Sequence, residues 1–166
     1  YRYKYVDRLK EYDLSNTDAL HFGSYIHKIF EDGAGATELS ELKRLAEEQK
    51  ENYKFSSEYN KKIEPCLKNF LRLNASFPEV GTSELHFDLE IADKITLNGY
   101  IDRIIKGQDG GCLVIDYKTG KRQKSKVELY QDQQLKGYVY AVHKLYDVPL
   151  NKITAAQSSY CILKRI

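Results

Sequence analysis

Asp102, Asp116 and Lys118 are the residues of this chain whose types and spacing point most directly to chemistry. They lie in LNGYIDRIIKGQDGGCLVIDYK, residues 97–118, which reads as two apolar strands, 100–105 and 112–117, joined by a turn containing Gly107, Asp109, Gly110 and Gly111. A turn centred on Asp109 sets Asp102 opposite Asp116, and opposed side chains share a face with Cβ atoms about 5 Å apart. Two like charges there repel, and a divalent cation between them removes the repulsion. Side chains alternate along a strand, so Lys118 shares the face of Asp116 while Leu113, Ile115 and Tyr117 point the other way. A slip of one residue would send one acid to the opposite face. An Asp-x-Lys on a strand is ordinarily a solvated edge. Here both aspartates have apolar neighbours on each side, the pattern of central strands, where a charge is unusual unless it has a function.

These residues carry a resemblance. Gly99-Tyr100-Ile101-Asp102, then Asp116-Tyr117-Lys118-Thr119-Gly120, then Gln134 and Tyr138 resemble the PD-(D/E)XK nucleases of the RecB-like branch. The run Gly23-Ser24-Tyr25-Ile26-His27-Lys28-Ile29-Phe30-Glu31 is similar to the early helix on which that branch places a histidine. Each motif is weak by itself, and four in this order are specific. The resemblance implies an α/β fold: a restriction-endonuclease-like core, with a mixed central sheet flanked by helices. It also implies a metal-dependent deoxyribonuclease that hydrolyses phosphodiester bonds, expected to be an exonuclease in DNA recombination or repair or in phage DNA processing.

The resemblance further implies that Asp102 and Asp116 hold Mg²⁺ or Mn²⁺, with His27 and the backbone carbonyl of Tyr117 as further ligands. Oxygen donors suit hard cations, and an imidazole nitrogen tilts preference toward Mn²⁺. Lys118 would orient water or stabilise charge growing on phosphorus, and Gln134 and Tyr138, one helical turn apart, would position the lysine or the DNA. A lone helical histidine is by pattern alone a packing or surface residue, and only the resemblance makes His27 a ligand. Two acids beside it would raise its pKa above the ordinary value of about 6.5. Glu31 lies one turn after His27 and could orient it from behind, or be an exposed partner of a neighbouring charge. Glu84 lies where relatives often carry an acid near the metal, yet by alternation it faces solvent.

A chain of 166 residues is expected to form one domain, here 1–166, as a piece of something longer, and it buries enough surface for a proper core. Hydrophobic content of 42% and charged content of 30% fit a soluble protein, with no run long enough for a membrane span and no signal peptide, so a cytoplasmic location is expected. Cys66, Cys112 and Cys161 are far apart and odd in number, which argues against disulfides, a zinc site or the iron–sulfur cluster of some RecB-like nucleases. Net charge is only +2, so the location of charge matters more than its sum. Five of the nine residues in KTGKRQKSK, 118–126, are basic, and Lys121, Arg122, Lys124 and Lys126 would guide a phosphodiester backbone toward the acids. Such a run is otherwise a solvated loop. DNA ends, single- or double-stranded, are the expected partner, with a helicase or other recombination subunit as a second. A CRISPR-associated nuclease and an inactive DNA-binding or scaffold module with the same fold are the alternatives.

The elements that must position these groups follow in order. Residues 1–12 carry Tyr1, Tyr5, Leu9 and Tyr12 at helical spacing, and Asn16 or Thr17 can cap a helix running to about Asp32. Residues 38–73 read as a long helical stretch with Pro65 marking a kink or a second start. Residues 83–92 alternate, with Leu85, Phe87, Leu89 and Ile91 on one face and Glu84, His86, Asp88 and Glu90 on the other. After the basic loop, 127–146 reads as one helix and 153–163 as a last strand.

Overall fold

The computed structural model describes residues 17–77, 81–120, 122, 124–159 and 163–165. The expectations for 1–12, Asn16, Lys121 and Cys161 lie outside those residues. Helix α1 (Thr17–Asp32) places Phe22, Tyr25, Ile26, Ile29 and Phe30 on one buried stripe, the i, i+3, i+4 spacing of a helix laid against a core. His27 falls beside that stripe and stays half-buried. Helices α2 (Leu39–Gln49) and α3 (Asn60–Ser76) pack with α1 over one face of the sheet, onto Ile105, Ile115 and Tyr117.

The expected long helix from 38 to 73 is broken between α2 and α3 by two single 3-10 turns. No glycine or proline forces this break. Tyr53, Phe55 and Tyr59 instead leave helical spacing to meet Phe22 and Tyr25, with Phe22 and Tyr59 ring centroids 4.9 Å apart and Tyr25 and Phe55 5.1 Å apart. Aromatic burial overrides local propensity here. Pro65 lies inside α3, which begins well before it, rather than at a helix start.

The sheet has five strands in the order β1 (Thr82–Ala92), β2 (Ile95–Lys106), β3 (Cys112–Lys118), β4 (Ile153–Ser159), β5 (Leu163–Arg165). Strands β1 to β3 form an antiparallel meander, β3 and β4 are parallel, and β4 and β5 are antiparallel, so the sheet is mixed, as expected. The single strand expected over 153–163 is therefore two strands. The parallel step needs a crossover, supplied by α4 (Lys126–Gln131) and α5 (Gln133–Tyr146), which cover the other face over Phe87, Ile101, Ile104, Val114 and Ala155. The expected single helix over 127–146 divides at Asp132, whose carboxylate accepts from the backbone N–H groups of Gln134 (2.9 Å) and Leu135 (3.2 Å). A side chain that satisfies orphan donors starts a new helix more favourably than it continues an old one.

The central hairpin keeps the expected register, with Arg103 opposite Ile115 and Lys106 opposite Cys112, so its frame sets Asp102 across from Asp116. Alternation fails in one place. Ile101 and Ile104, three residues apart, both face α5, while Arg103 between them points to the other core, 5.9 Å over the ring of Phe70. The β1–β2 pairing omits Glu84 and Asp102 at this slip, and Glu84 has a left-handed φ of +48°. Among the described residues, no helix is long and apolar enough to cross a membrane.

Asp132 supports both the start of α5 and, through it, Gln134. Asp132→Ala is expected to cost about 1–2 kcal/mol in urea unfolding, whereas Asp132→Asn, which keeps an acceptor, should cost less than half of that. Equal losses would show that the cap is not the source of the stability.

Candidate metal centre

Six elements deliver the site: α1 brings His27, β1 brings Glu84, β2 brings Asp102, β3 brings Asp116, Tyr117 and Lys118, β4 brings Gln157, and α5 brings Gln134 and Tyr138. Beyond the last β2–β3 pair, the N–H of Tyr117 donates to Asp102 Oδ2 at 2.6 Å. The other oxygen of Asp102 lies 3.6 Å from His27 Nδ1, and His27 Nε2 lies 3.0 Å from the carbonyl oxygen of Tyr117. His27, Glu84 and Asp102 each offer a donor atom within 4.8 Å of the other two. A nitrogen and two carboxylates, with a backbone carbonyl beside them, form a donor set that fits a divalent cation.

Asp116 is held differently. Lys118 Nζ donates to its Oδ1 at 2.8 Å, and Gln157 Nε2 donates to its Oδ2 at 3.0 Å, so both oxygens of this fully buried carboxylate are engaged. Lys118 is itself steered by Gln134 Oε1 at 3.2 Å, whose amide nitrogen donates to Tyr138 Oη at 2.7 Å. A relay thus runs from Tyr138 through Gln134 and Lys118 to Asp116 and Gln157, crossing from α5 to β4.

Burial decides the electrostatics. Asp102 is pushed up to about 7, first by desolvation and then by the charge of Asp116, while the Tyr117 N–H and Lys118 pull the other way. Glu84 is raised for the same reasons, burial first and Asp102 second. His27 is lowered, because desolvation outweighs the attraction of Glu84 and its contact with the Tyr117 carbonyl. The expectation that nearby acids raise His27 is therefore corrected: burial wins. A lowered imidazole is neutral at neutral pH, the form that ligates metal.

Several placements differ from the sequence reading or go beyond it. Glu84 is half-buried rather than fully turned to solvent, with a left-handed backbone and its side chain at the cluster, and strain of this kind collects where a site demands it. Glu31 is engaged by Lys28 at 3.0 Å and makes no hydrogen bond to His27. Arg122 pairs with Glu128, Lys124 pairs with Asp132, and Lys126 stands exposed at the start of α4. Gln157 is a site residue that the sequence reading misses. Its signal is nonetheless there: a lone amide directly after Ala155 and Ala156 in the strand ITAAQSS, in parallel register with Asp116.

The model of the PD-(D/E)XK nuclease superfamily matches residues 1–165. This chain belongs to that superfamily. The resemblance to its RecB-like branch is borne out, as is the restriction-endonuclease-like fold. The chain is similar to a subunit of the ATP-dependent helicase/deoxyribonuclease of Streptococcus agalactiae, 29% identical over 165 residues, covering 87% of this chain and 15% of that protein. The corresponding proteins of Streptococcus uberis and Streptococcus pyogenes are 28% and 24% identical, over 73% and 94% of this chain and 13% and 16% of their own length. The chain thus spans about one sixth or less of the relatives it matches. PD-(D/E)XK nucleases generally use divalent metals, and the His27, Glu84 and Asp102 cluster is a site of the matching kind.

The raised Asp102 predicts a pH dependence of stability in the metal-free protein. A carboxyl near 7 when folded and 3.8 when unfolded holds a proton that the unfolded chain releases. Its stabilising effect is complete below about pH 4 and is lost as pH rises through about 7, by roughly 2–4 kcal/mol. Asp102→Asn, which keeps an acceptor for the Tyr117 N–H, should flatten this decline and be the more stable protein at pH 8. Parallel curves for the two proteins in urea unfolding at several pH values would place the uncompensated charge elsewhere.

Proposed function

We propose that this domain is a divalent-cation-dependent deoxyribonuclease that hydrolyses phosphodiester bonds, acting as an exonuclease at DNA ends. The observation that carries the reading is the convergence of Asp102, Asp116 and Lys118 just beyond the last β2–β3 pair, beside His27 and Glu84. His27, Glu84, Asp102 and the Tyr117 carbonyl, with Asp116 adjoining, are the groups that would hold the cation. Once bound, the cation would supply Lewis acidity toward the phosphate and toward an attacking water. The imidazole nitrogen favours Mn²⁺ over Mg²⁺.

The rest falls to the chain's own groups. Lys118, fixed between Asp116 and Gln134, directs its ammonium at the space in front of the acids, where it can donate to a water or to a phosphate oxygen as negative charge grows. Gln157 and Lys118 together hold the Asp116 carboxylate in one rotamer, so that its remaining lone pairs keep a fixed direction. An inactive scaffold would have no reason to hold two buried acids, a lysine between two acceptors and a strained glutamate in one place. The names of the relatives support a role beside a helicase that delivers DNA ends, in recombination or repair.

Two experiments test the reading. Lys118→Ala and Asp116→Ala should each lower cleavage of end-labelled DNA by at least about 10²-fold with circular dichroism unchanged. Linear DNA should be degraded and a circular control spared, so equal cutting of the circle would overturn the exonuclease assignment. Separately, titration calorimetry should show His27→Ala weakening Mn²⁺ binding more than Mg²⁺ binding. Identical affinities in wild type and variant would make His27 a packing residue.

A further inference from the structure

A groove of about 510 Å³ runs from the acid cluster along the outer side of α1, bounded by Gly23, Ser24, His27, Tyr53, Glu84 and Thr119. Gly23 is the informative residue. A glycine within a helix costs stability relative to alanine, so its presence needs a reason. Packing supplies that reason for Gly33, where a Cβ would meet Leu42 Cδ2 at 2.4 Å and the Ile29 carbonyl oxygen at 2.9 Å. It does not for Gly23. A Cβ built there meets only Thr119 Oγ1, at 3.7 Å, an ordinary van der Waals contact, and its φ is not left-handed. The protein's own structure would accept alanine, and the space that alanine would take is groove, one helical turn from His27. Across that space, the Thr119 hydroxyl makes no hydrogen bond among the described residues, directly after the strand that carries Asp116 and Lys118.

We propose that this groove seats the sugar-phosphate backbone of the DNA strand being cut, with Gly23 giving the backbone close approach and Thr119 donating to it. The inference rests on the nuclease reading and adds the path by which the strand reaches the acids. The absent methyl makes room for a ligand that the folded chain does not fill. The walls are neutral or apolar around Gly23; farther along α1 the lining carries Glu31, which is paired with Lys28, and then Glu84 of the cluster, where a cation would offset the acids.

The test uses the intact protein and a phosphorothioate oligothymidylate that resists hydrolysis, followed by fluorescence anisotropy in Mn²⁺. Gly23→Ala should raise the melting temperature, by about 2–4 °C, while weakening oligonucleotide binding about 10-fold or more. Its Mn²⁺ affinity without DNA should stay within about twofold of wild type. Thr119→Val should weaken oligonucleotide binding in the same direction. Opposite signs for stability and DNA affinity are what a packing role cannot produce. A fall in melting temperature, or failure to fold, would show that packing requires the glycine and would overturn the proposal. Unchanged DNA affinity in Gly23→Ala, beside a wild-type protein that cleaves DNA, would overturn the groove assignment alone. A wild-type protein that neither binds nor cuts DNA would remove the nuclease reading and the groove with it.

Discussion

Three carboxylates brought close to one another, two of them buried in the sheet, set the terms for the rest of this structure. A buried charge without a partner is costly enough that a protein either pairs it or leaves it protonated. Asp116 is paired on both oxygens, by Lys118 and Gln157. Asp102 has one backbone N–H and a neutral imidazole, and the cost shows in its rise to about 7. Glu84 adds a second unrelieved acid beside it. The repulsion that Asp102 meets therefore comes from Asp116, compensated though that acid is, and Glu84 in turn meets the repulsion of Asp102.

Each covering layer supplies one half of the answer. Helix α1 is anchored by five buried side chains on one stripe, which leaves His27 free to reach the Tyr117 carbonyl and Asp102. On the opposite face, α5 is anchored by Leu135, Tyr138, Ala141 and Val142, which sets Gln134 against Lys118. The end of the sheet between these helices is where the β2–β3 ladder stops and the β1–β2 ladder skips a pair. Backbone groups released from the ladders become donors and acceptors for the site: the Tyr117 N–H turns to Asp102 and its carbonyl to His27.

Residues whose placement follows from local pattern are legible in the sequence. The hairpin register comes from the turn and the apolar runs, and these alone put Asp102 and Asp116 on facing strands. The residues that are not legible are those whose position depends on a distant element. Glu84 obeys strand alternation in its neighbours and breaks it only through a left-handed backbone, which no period-2 pattern announces. The division at Asp132 and the break before Asn60 arise from a cap and from aromatic packing, where helical periodicity continues across both. The direction of the His27 shift depends on how deeply α1 seats it, and spacing carries no information about depth.

The basic loop shows how the same charges can serve the fold and a polyanion. Arg122 is exposed in its pairing with Glu128, and surface pairs of this kind contribute about 0–1 kcal/mol, so exchange of the glutamate for a phosphate would cost little. Lys124 is different, because the side chain of its partner Asp132 is almost fully buried and caps α5. Drawing Lys124 toward a phosphate would leave that carboxylate unneutralised at the helix start that carries Gln134. If DNA is the substrate, Arg122 and Lys126 are, among the described residues of the loop, the groups free to follow its backbone, and Lys124 is committed to keeping the lysine-positioning helix in place. The charge run that looks uniform in sequence is therefore divided, by what lies beneath it, into exchangeable and structural cations.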